Sequence, residues 1–230
     1  MDYIANGLKE ALRIIFSFER EFLSIVAVSI KVSFSSTLLA AITGVPFGIF
    51  IAQKKFPGRD CVFTLLNTLM SLPTVVVGLM VYSFLSRRGP LGELGLLYTL
   101  SAMIIGQFIL IFPIISGLTV TAVRSLDKRI KTTVISLGAD SVQGFWMFLR
   151  EARLGIAAAI IAGFGRVFAE VGVSMMLGGN IKAYTRNITT AIALETSKGE
   201  FALGIALGIV LLTVAFTINF FLTKLQKRLK

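Results

Sequence analysis

Histidine is absent from the chain and cysteine occurs once, at Cys61. Histidine-based acid–base catalysis, haem and the common zinc sites are therefore poor readings, and an internal disulfide is excluded. No glycine precedes a lysine, so the phosphate-cradling loop G-x-x-x-x-G-K-[ST] is missing and the chain cannot hold ATP in the usual way. No carboxylate pair stands out either, which leaves an enzyme the least favoured class. Charge is scarce as well: only 15% of the 230 residues are Asp, Glu, Lys or Arg, against about a quarter in an ordinary soluble domain.

What is abundant is apolar sequence. Hydrophobic residues make up 55% of the chain and the mean hydropathy is +0.85. The charge-free stretches Val32–Gln53, Cys61–Ser86, Leu94–Val123 and Phe201–Thr223 each exceed the ~20 residues with which a helix crosses a bilayer. A fifth stretch, Leu154–Ile181, is interrupted by Arg166 and Glu170. Barrel strands would need short alternating segments, which these are not, and helices satisfy their own backbone in hydrocarbon. The expectation is one all-α membrane domain over 1–230, with about five spans near Phe22–Gln53, Cys61–Ser86, Leu96–Val123, Leu154–Leu177 and Phe201–Thr223.

Ahead of these spans, Ile4, Leu8, Leu12, Ile15 and Phe16 recur at helical spacing. An amphipathic helix lying in the interface over 1–21 fits this pattern, and so does a simple extension of the first span. A cleavable signal peptide does not fit.

Lys and Arg outnumber Asp and Glu by 23 to 12, for a net charge of +11. They cluster beside the apolar runs, so they read as topological anchors and not as a nucleic-acid surface. Thirteen fall on one side: Lys54, Lys55, Arg59, Arg124, Lys128, Arg129, Lys131, Arg150, Arg153 and the tail Lys224, Lys227, Arg228 and Lys230. The other side collects at most eight: Arg87, Arg88, Lys182, Arg186 and Lys198, with Lys9, Arg13 and Arg20. The positive-inside rule then places the N-terminus outside and the C-terminus in the cytoplasm, which requires an odd number of spans and so includes the fourth.

Between the third and fourth spans, 124–153 is the longest polar segment. Its centre, Ile135-Ser136-Leu137-Gly138-Ala139-Asp140-Ser141-Val142-Gln143-Gly144-Phe145-Trp146, predicts a helix, a turn at Gly138 and a short helix capped by Asp140 or Ser141. Here the chain resembles the permease subunits of bacterial ABC importers, whose cytoplasmic loop carries E-A-A, three residues and a glycine. Aligned on Gly138, Thr132, Thr133 and Val134 stand where E-A-A would be, and Arg150 where a later proline would be. The Leu-Gly-Ala step and Phe145-Trp146 remain. The resemblance implies a type I importer permease fold and a coupling helix at Ala139–Phe145, so that the turn residue Gly138 with Ala139, Asp140, Ser141, Val142, Gln143, Gly144 and Phe145 couples to a pair of cytoplasmic ATPase subunits. ATP and magnesium would be bound there, and this chain would need no cofactor. An interfacial loop without a partner is the other reading.

Two further motifs bear on cargo. Ser71-Leu72-Pro73-Thr74-Val75-Val76-Val77-Gly78 places proline inside the second span, which frees a backbone carbonyl and makes either a gate or an ordinary packing kink. Gly165-Arg166-Val167-Phe168-Ala169-Glu170-Val171-Gly172 places a charged pair four residues apart in the fourth. The pair reads as a mutual pin, or Arg166 also faces a passage and attracts an anion. Lys31 leaves the same choice, against snorkelling to the interface.

Arg166 to Gly172, Gly179-Asn180-Ile181, Thr185-Arg186 and Thr189-Thr190 resemble permeases for molybdate and tungstate, the tungstate type most closely, as do Ser71–Gly78 and Ser29–Ser33. A tetrahedral dianion needs N–H, hydroxyl and amide donors with modest positive potential, and Asn180 to Thr190 offer them. The candidate path is therefore Pro73, Thr74, Gly78, Arg166, Glu170, Asn180, Thr185, Arg186, Thr189 and Thr190. The resemblance implies a homodimer fed by an extracytoplasmic oxyanion-binding protein. Gly44-x-x-x-Gly48 and Gly204-x-x-x-Gly208 suit helix contact within one subunit or between two.

Overall fold

Backbone polar groups in hydrocarbon must find partners inside the chain. The computed structural model meets that demand with helices: it describes residues 2–17, 19–54, 56–127, 129, 132, 136, 138 and 140–228, and of 2–8, 10, 141, 219, 222, 223 and 225–228 the backbone alone. Among the described residues the α-helices are α1 Asp2–Ser17, α2 Arg20–Gln53, α3 Arg59–Met70, α4 Thr74–Leu85, α5 Leu100–Arg124, α6 Ser141–Glu151, α7 Arg153–Phe168, α8 Gly172–Gly178, α9 Ile188–Lys198 and α10 Phe201–Arg228. A 3-10 turn, Gly92–Leu94, lies between α4 and α5.

Three helices, α2, α5 and the Phe201–Ile218 part of α10, are each long and apolar enough to cross a membrane. The second and fourth expected spans are broken helices. α3 and α4 meet at 101°, and α7 and α8 at 60°, so among the described residues the candidate spans number three, or up to five when each bent pair is one span. At the first break Pro73 has no N–H to continue a helix; its carbonyl instead accepts from Val76 and Val77 at the start of α4. The break therefore exceeds the kink considered from sequence.

α1 ends at Ser17 and α2 begins at Arg20, so the N-terminal helix is separate and not an extension of the first span. Its buried side is offset from the expected stripe: Ala11 is enclosed with Ile14 and Ile15 against the α10 cluster, while Leu12 and Phe16 are exposed.

The scaffold is α2 crossing α5. An added Cβ on Gly48 would lie 2.7 Å from the Ser116 carbonyl oxygen and 2.8 Å from Thr119 Cβ, so only glycine permits this approach. Gly44-x-x-x-Gly48 is thus an intrasubunit contact. Gly204 and Gly208 have nothing within 4 Å of the corresponding position, so a side chain there would meet open space although Gly204 itself is buried.

The segment 124–153 is exposed at Gly138, which has φ +66. Asp140 caps α6: its Oδ1 accepts the N–H of Val142 at 2.9 Å and of Gln143 at 2.7 Å, while Gln143 Oε1 accepts the Asp140 N–H at 3.0 Å. This reciprocal cap is what the spacing Asp-x-x-Gln favours. The helix runs on to Glu151, beyond the expected end at Phe145. Ala139 and most of the expected preceding helix lie outside the described residues, and of Ser141 only the backbone is described. Gly144 and Phe148 face inward and Phe145 is half-buried, whereas Val142 and Trp146 are exposed.

Candidate translocation site

The two broken spans converge. A Cβ added to Gly172, at the start of α8, would stand 3.2 Å from Glu170 Oε1 and 3.3 Å from Thr74 Oγ1, at the start of α4. Irregular backbone at membrane depth survives only where protein or a cavity satisfies it. Glu170 does so here. Its Oε2 accepts from Arg166 Nη1 at 2.8 Å, its Oε1 from the Val173 N–H at 3.3 Å, and its carbonyl from the Thr189 hydroxyl at 2.7 Å. The carboxylate is 3% exposed and the Arg166 side chain 41%. The pair thus joins the end of α7 to the start of α8 across the break, and the arginine still presents part of its surface outward.

The segment after α8 doubles back on itself. Gly179, Asn180 and Ala183 have left-handed backbone, and the Thr185 hydroxyl donates to the Gly178 carbonyl while accepting the Ile181 N–H at 3.0 Å. Asn187 then caps α9, its Oδ1 accepting from the Thr190 N–H at 2.9 Å and lying 3.0 Å from the Thr189 hydroxyl oxygen. The Ile188 N–H donates to Ser29 Oγ of α2 at 2.7 Å. Residues 188–198 therefore form a helix tied to α2 and to Glu170.

The predicted residues fall into three groups. Pro73, Thr74, Glu170 and Arg166 meet at the convergence, with Gly78 one helical turn along α4. Thr185, Thr189 and Thr190 are buried, and their hydroxyls bond within the chain. Arg186 bonds Glu21 at 3.3 Å, beside Lys182, which bonds the same carboxylate at 2.7 Å. Asn180 sits in the turn after Gly179. Lys31 is exposed on α2.

Residues that the sequence reading passes over also shape the site. Gln107, 1% exposed on α5, donates from Nε2 to Ser174 Oγ of α8 at 2.8 Å; as the lone amide in a charge-free run it carried a legible signal. Gly106 and Gly78 admit α8 between α5 and α4: a Cβ on the first would lie 2.3 Å from Leu177 Cδ1, and on the second 2.8 Å from Met176 Sδ. Tyr98, before α5, has φ +63, donates its N–H to the Leu177 carbonyl at 2.9 Å and approaches the Tyr82 hydroxyl at 3.4 Å. The Tyr82 hydrogen bond, with desolvation and the electrostatic influence of the same hydroxyl adding to it, raises the Tyr98 phenol above its ordinary value. Nothing in the local sequence announces its backbone.

Two bent helix pairs thus meet at a buried carboxylate paired with Arg166. Residues 44–230 match the family of binding-protein-dependent transport system inner membrane components. The chain belongs to that family. It is a permease subunit of the ABC importer type, as its resemblances indicate, and the family is one of inner-membrane proteins. Among relatives of this permease, a tungstate uptake system permease protein of Peptoclostridium acidaminophilum is 40% identical over 227 residues, covering 99% of this chain and 100% of the relative. A molybdenum transport system permease of Escherichia coli is 29% identical, covering 76% and 81%. In three dimensions the fold matches a chain of an inward-facing methionine ABC transporter with a TM-score of 0.76 at 18% identity, covering 91% of this permease and 96% of that chain.

Proposed function

We propose that two copies of this permease form the passage of a type I importer that carries a tetrahedral oxyanion, tungstate foremost, into the cytoplasm. The convergence of the two broken spans at Thr74, Glu170 and Gly172 carries this reading, since it couples two half-helices to one charged joint. Motion of α8 relative to α4 opens or closes that joint. Cargo identity draws on the tungstate relatives, which align over nearly the whole chain. The Thr189 hydroxyl holds the Glu170 carbonyl while those of Thr185 and Thr190 hold the loop beside it, and the exposed part of Arg166 supplies positive potential without a deep well that would stall release.

The N-terminus lies outside and the C-terminus inside, so α6 meets a cytoplasmic ATPase pair that hydrolyses ATP with magnesium, and an external binding protein selects the anion. The permease itself performs no chemistry. Exposed Val142 and Trp146 on a firmly capped helix suit such docking. The test is uptake by proteoliposomes containing the permease and its ATPase, supplied with the external binding protein: deleting 139–145 should abolish ATP-driven tungstate uptake while the protein still inserts. Unchanged uptake would refute the coupling assignment, and molybdate or sulfate outcompeting tungstate would refute the cargo.

A further inference from the structure

At the end of α4 opposite the convergence, two cavities share one wall. The first, about 640 Å3, is lined by Arg87, Arg88, Ser86, Gly92, Tyr82 and Tyr98, among others. The second, about 650 Å3, is lined by Leu79, Met175, Met176, Ile181 and the same two tyrosines. Both volumes are of ligand size. Their chemistry differs sharply: two guanidiniums and no carboxylate line the first among the described residues, while apolar side chains dominate the second. Within the loop only Glu93 opposes the arginines, and neither arginine has an ion-pair partner among the described residues.

The loop that presents Arg87 and Arg88 is a tight coil. Gly89 N–H donates to the Ser86 carbonyl at 2.7 Å, Leu91 to Phe84 at 3.0 Å, Gly92 to Gly89 at 3.0 Å and Gly95 to Gly92 at 3.2 Å. The dividing wall is equally fixed. The Tyr82 and Tyr98 rings meet edge-on at 6.5 Å, and one hydroxyl donates to the other, which leaves the second proton for a ligand. Tyr98 holds a left-handed backbone that an aromatic residue seldom adopts, and it is bonded through its N–H to the last turn of α8. Any shift of α8 therefore moves this wall.

We propose that Arg87, Arg88 and the tyrosine hydroxyls form a low-affinity oxyanion way station at the mouth of the permease, with the Tyr82–Tyr98 pair as its floor. Guanidinium and phenol donors match a tetrahedral dianion, and the apolar chamber beyond resists it until α8 moves the floor. This rests on the orientation and cargo class given under the proposed function.

The test uses proteoliposomes of the complete complex with loaded binding protein, reading both anion uptake at saturation and the binding-protein concentration that half-maximally stimulates ATPase. Arg87→Gln with Arg88→Gln should lower saturated uptake about tenfold, as expected for loss of a charge-assisted contact, with the half-stimulating concentration unchanged and partial recovery in the lysine variants. Tyr82→Phe with Tyr98→Phe should lower uptake less. A rise in half-stimulating concentration with full uptake at saturation would mark a protein-docking surface and overturn the proposal, as would unchanged values for both. If the wild-type complex moves another oxyanion and not tungstate, the cargo reading fails while the arginine comparison still decides the station.

Discussion

The two broken spans reach the same outcome by opposite chemistry. Between α3 and α4 the break of 101° contains Ser71, Leu72 and Pro73 and no charge; the proline removes a donor and so removes the need for an acceptor. Between α7 and α8 the break of 60° contains no proline. There the Glu170 carboxylate supplies an acceptor for the Val173 N–H, and Arg166 neutralises the carboxylate that does so. A membrane chain can thus license a break by deleting a donor or by importing a charge. The second way has a greater cost and gives a joint that is adjustable, because an ion pair can lengthen where a ring cannot.

The largest effect should come from the charged joint. Glu170→Leu strands Arg166, at about 2.5–3.5 kcal/mol on the insertion scale, and also uncaps α8. Glu170→Gln keeps an oxygen for Val173 and removes only the charge. We expect both to lower the thermal midpoint of the detergent-solubilised protein and to abolish uptake, Leu more severely. In the paired variant Arg166→Leu with Glu170→Leu the midpoint should largely recover without uptake. Full recovery of both would reduce the pair to a pin and erase the contrast drawn above.

The proline joint should respond differently. Pro73→Ala restores a donor and shifts the balance toward a continuous helix by up to ~3 kcal/mol. Uptake should fall several-fold with the thermal midpoint held or raised. Normal uptake in this variant would mean that packing alone maintains the break.

These joints also mark how far the sequence could be read. Charge-free runs exposed the spans because lipid tolerates little else, and Gly138 with Asp140 exposed the turn and cap of α6 because both signals are local. Pro73 was visible for the same reason, although its angle depends on what α4 packs against. The second break was hidden, since Arg166 and Glu170 at a four-residue spacing look like neighbours on an intact helix. α9 has little local signal: Ile188, Thr189 and Thr190 are β-branched and poor helix formers, and the helix depends on the Asn187 cap and on Ser29, 159 residues away. Tyr98 and the Glu21 pairs with Lys182 and Arg186 are products of tertiary folding, with no local mark.

The smallest expected effect concerns how α8, the movable half of the charged joint, is gripped. α5 meets it through Gly106 and α4 through Gly78. A methyl at Gly106 would collide with Leu177 Cδ1 and, at 2.7 Å, with Val173 Cγ1, two branched side chains that are fully buried. A methyl at Gly78 meets chiefly Met176 Sδ, the adaptable part of a flexible side chain. Gly106→Ala should therefore cost about 1–3 kcal/mol by overpacking and depress uptake, whereas Gly78→Ala should cost less than about 1 kcal/mol on the same scale. Thermal melts of the two variants side by side decide the matter. Equal losses would place the grip evenly on both helices, and the view of α5 as a fixed wall against which α8 and its charged joint move would have to be abandoned.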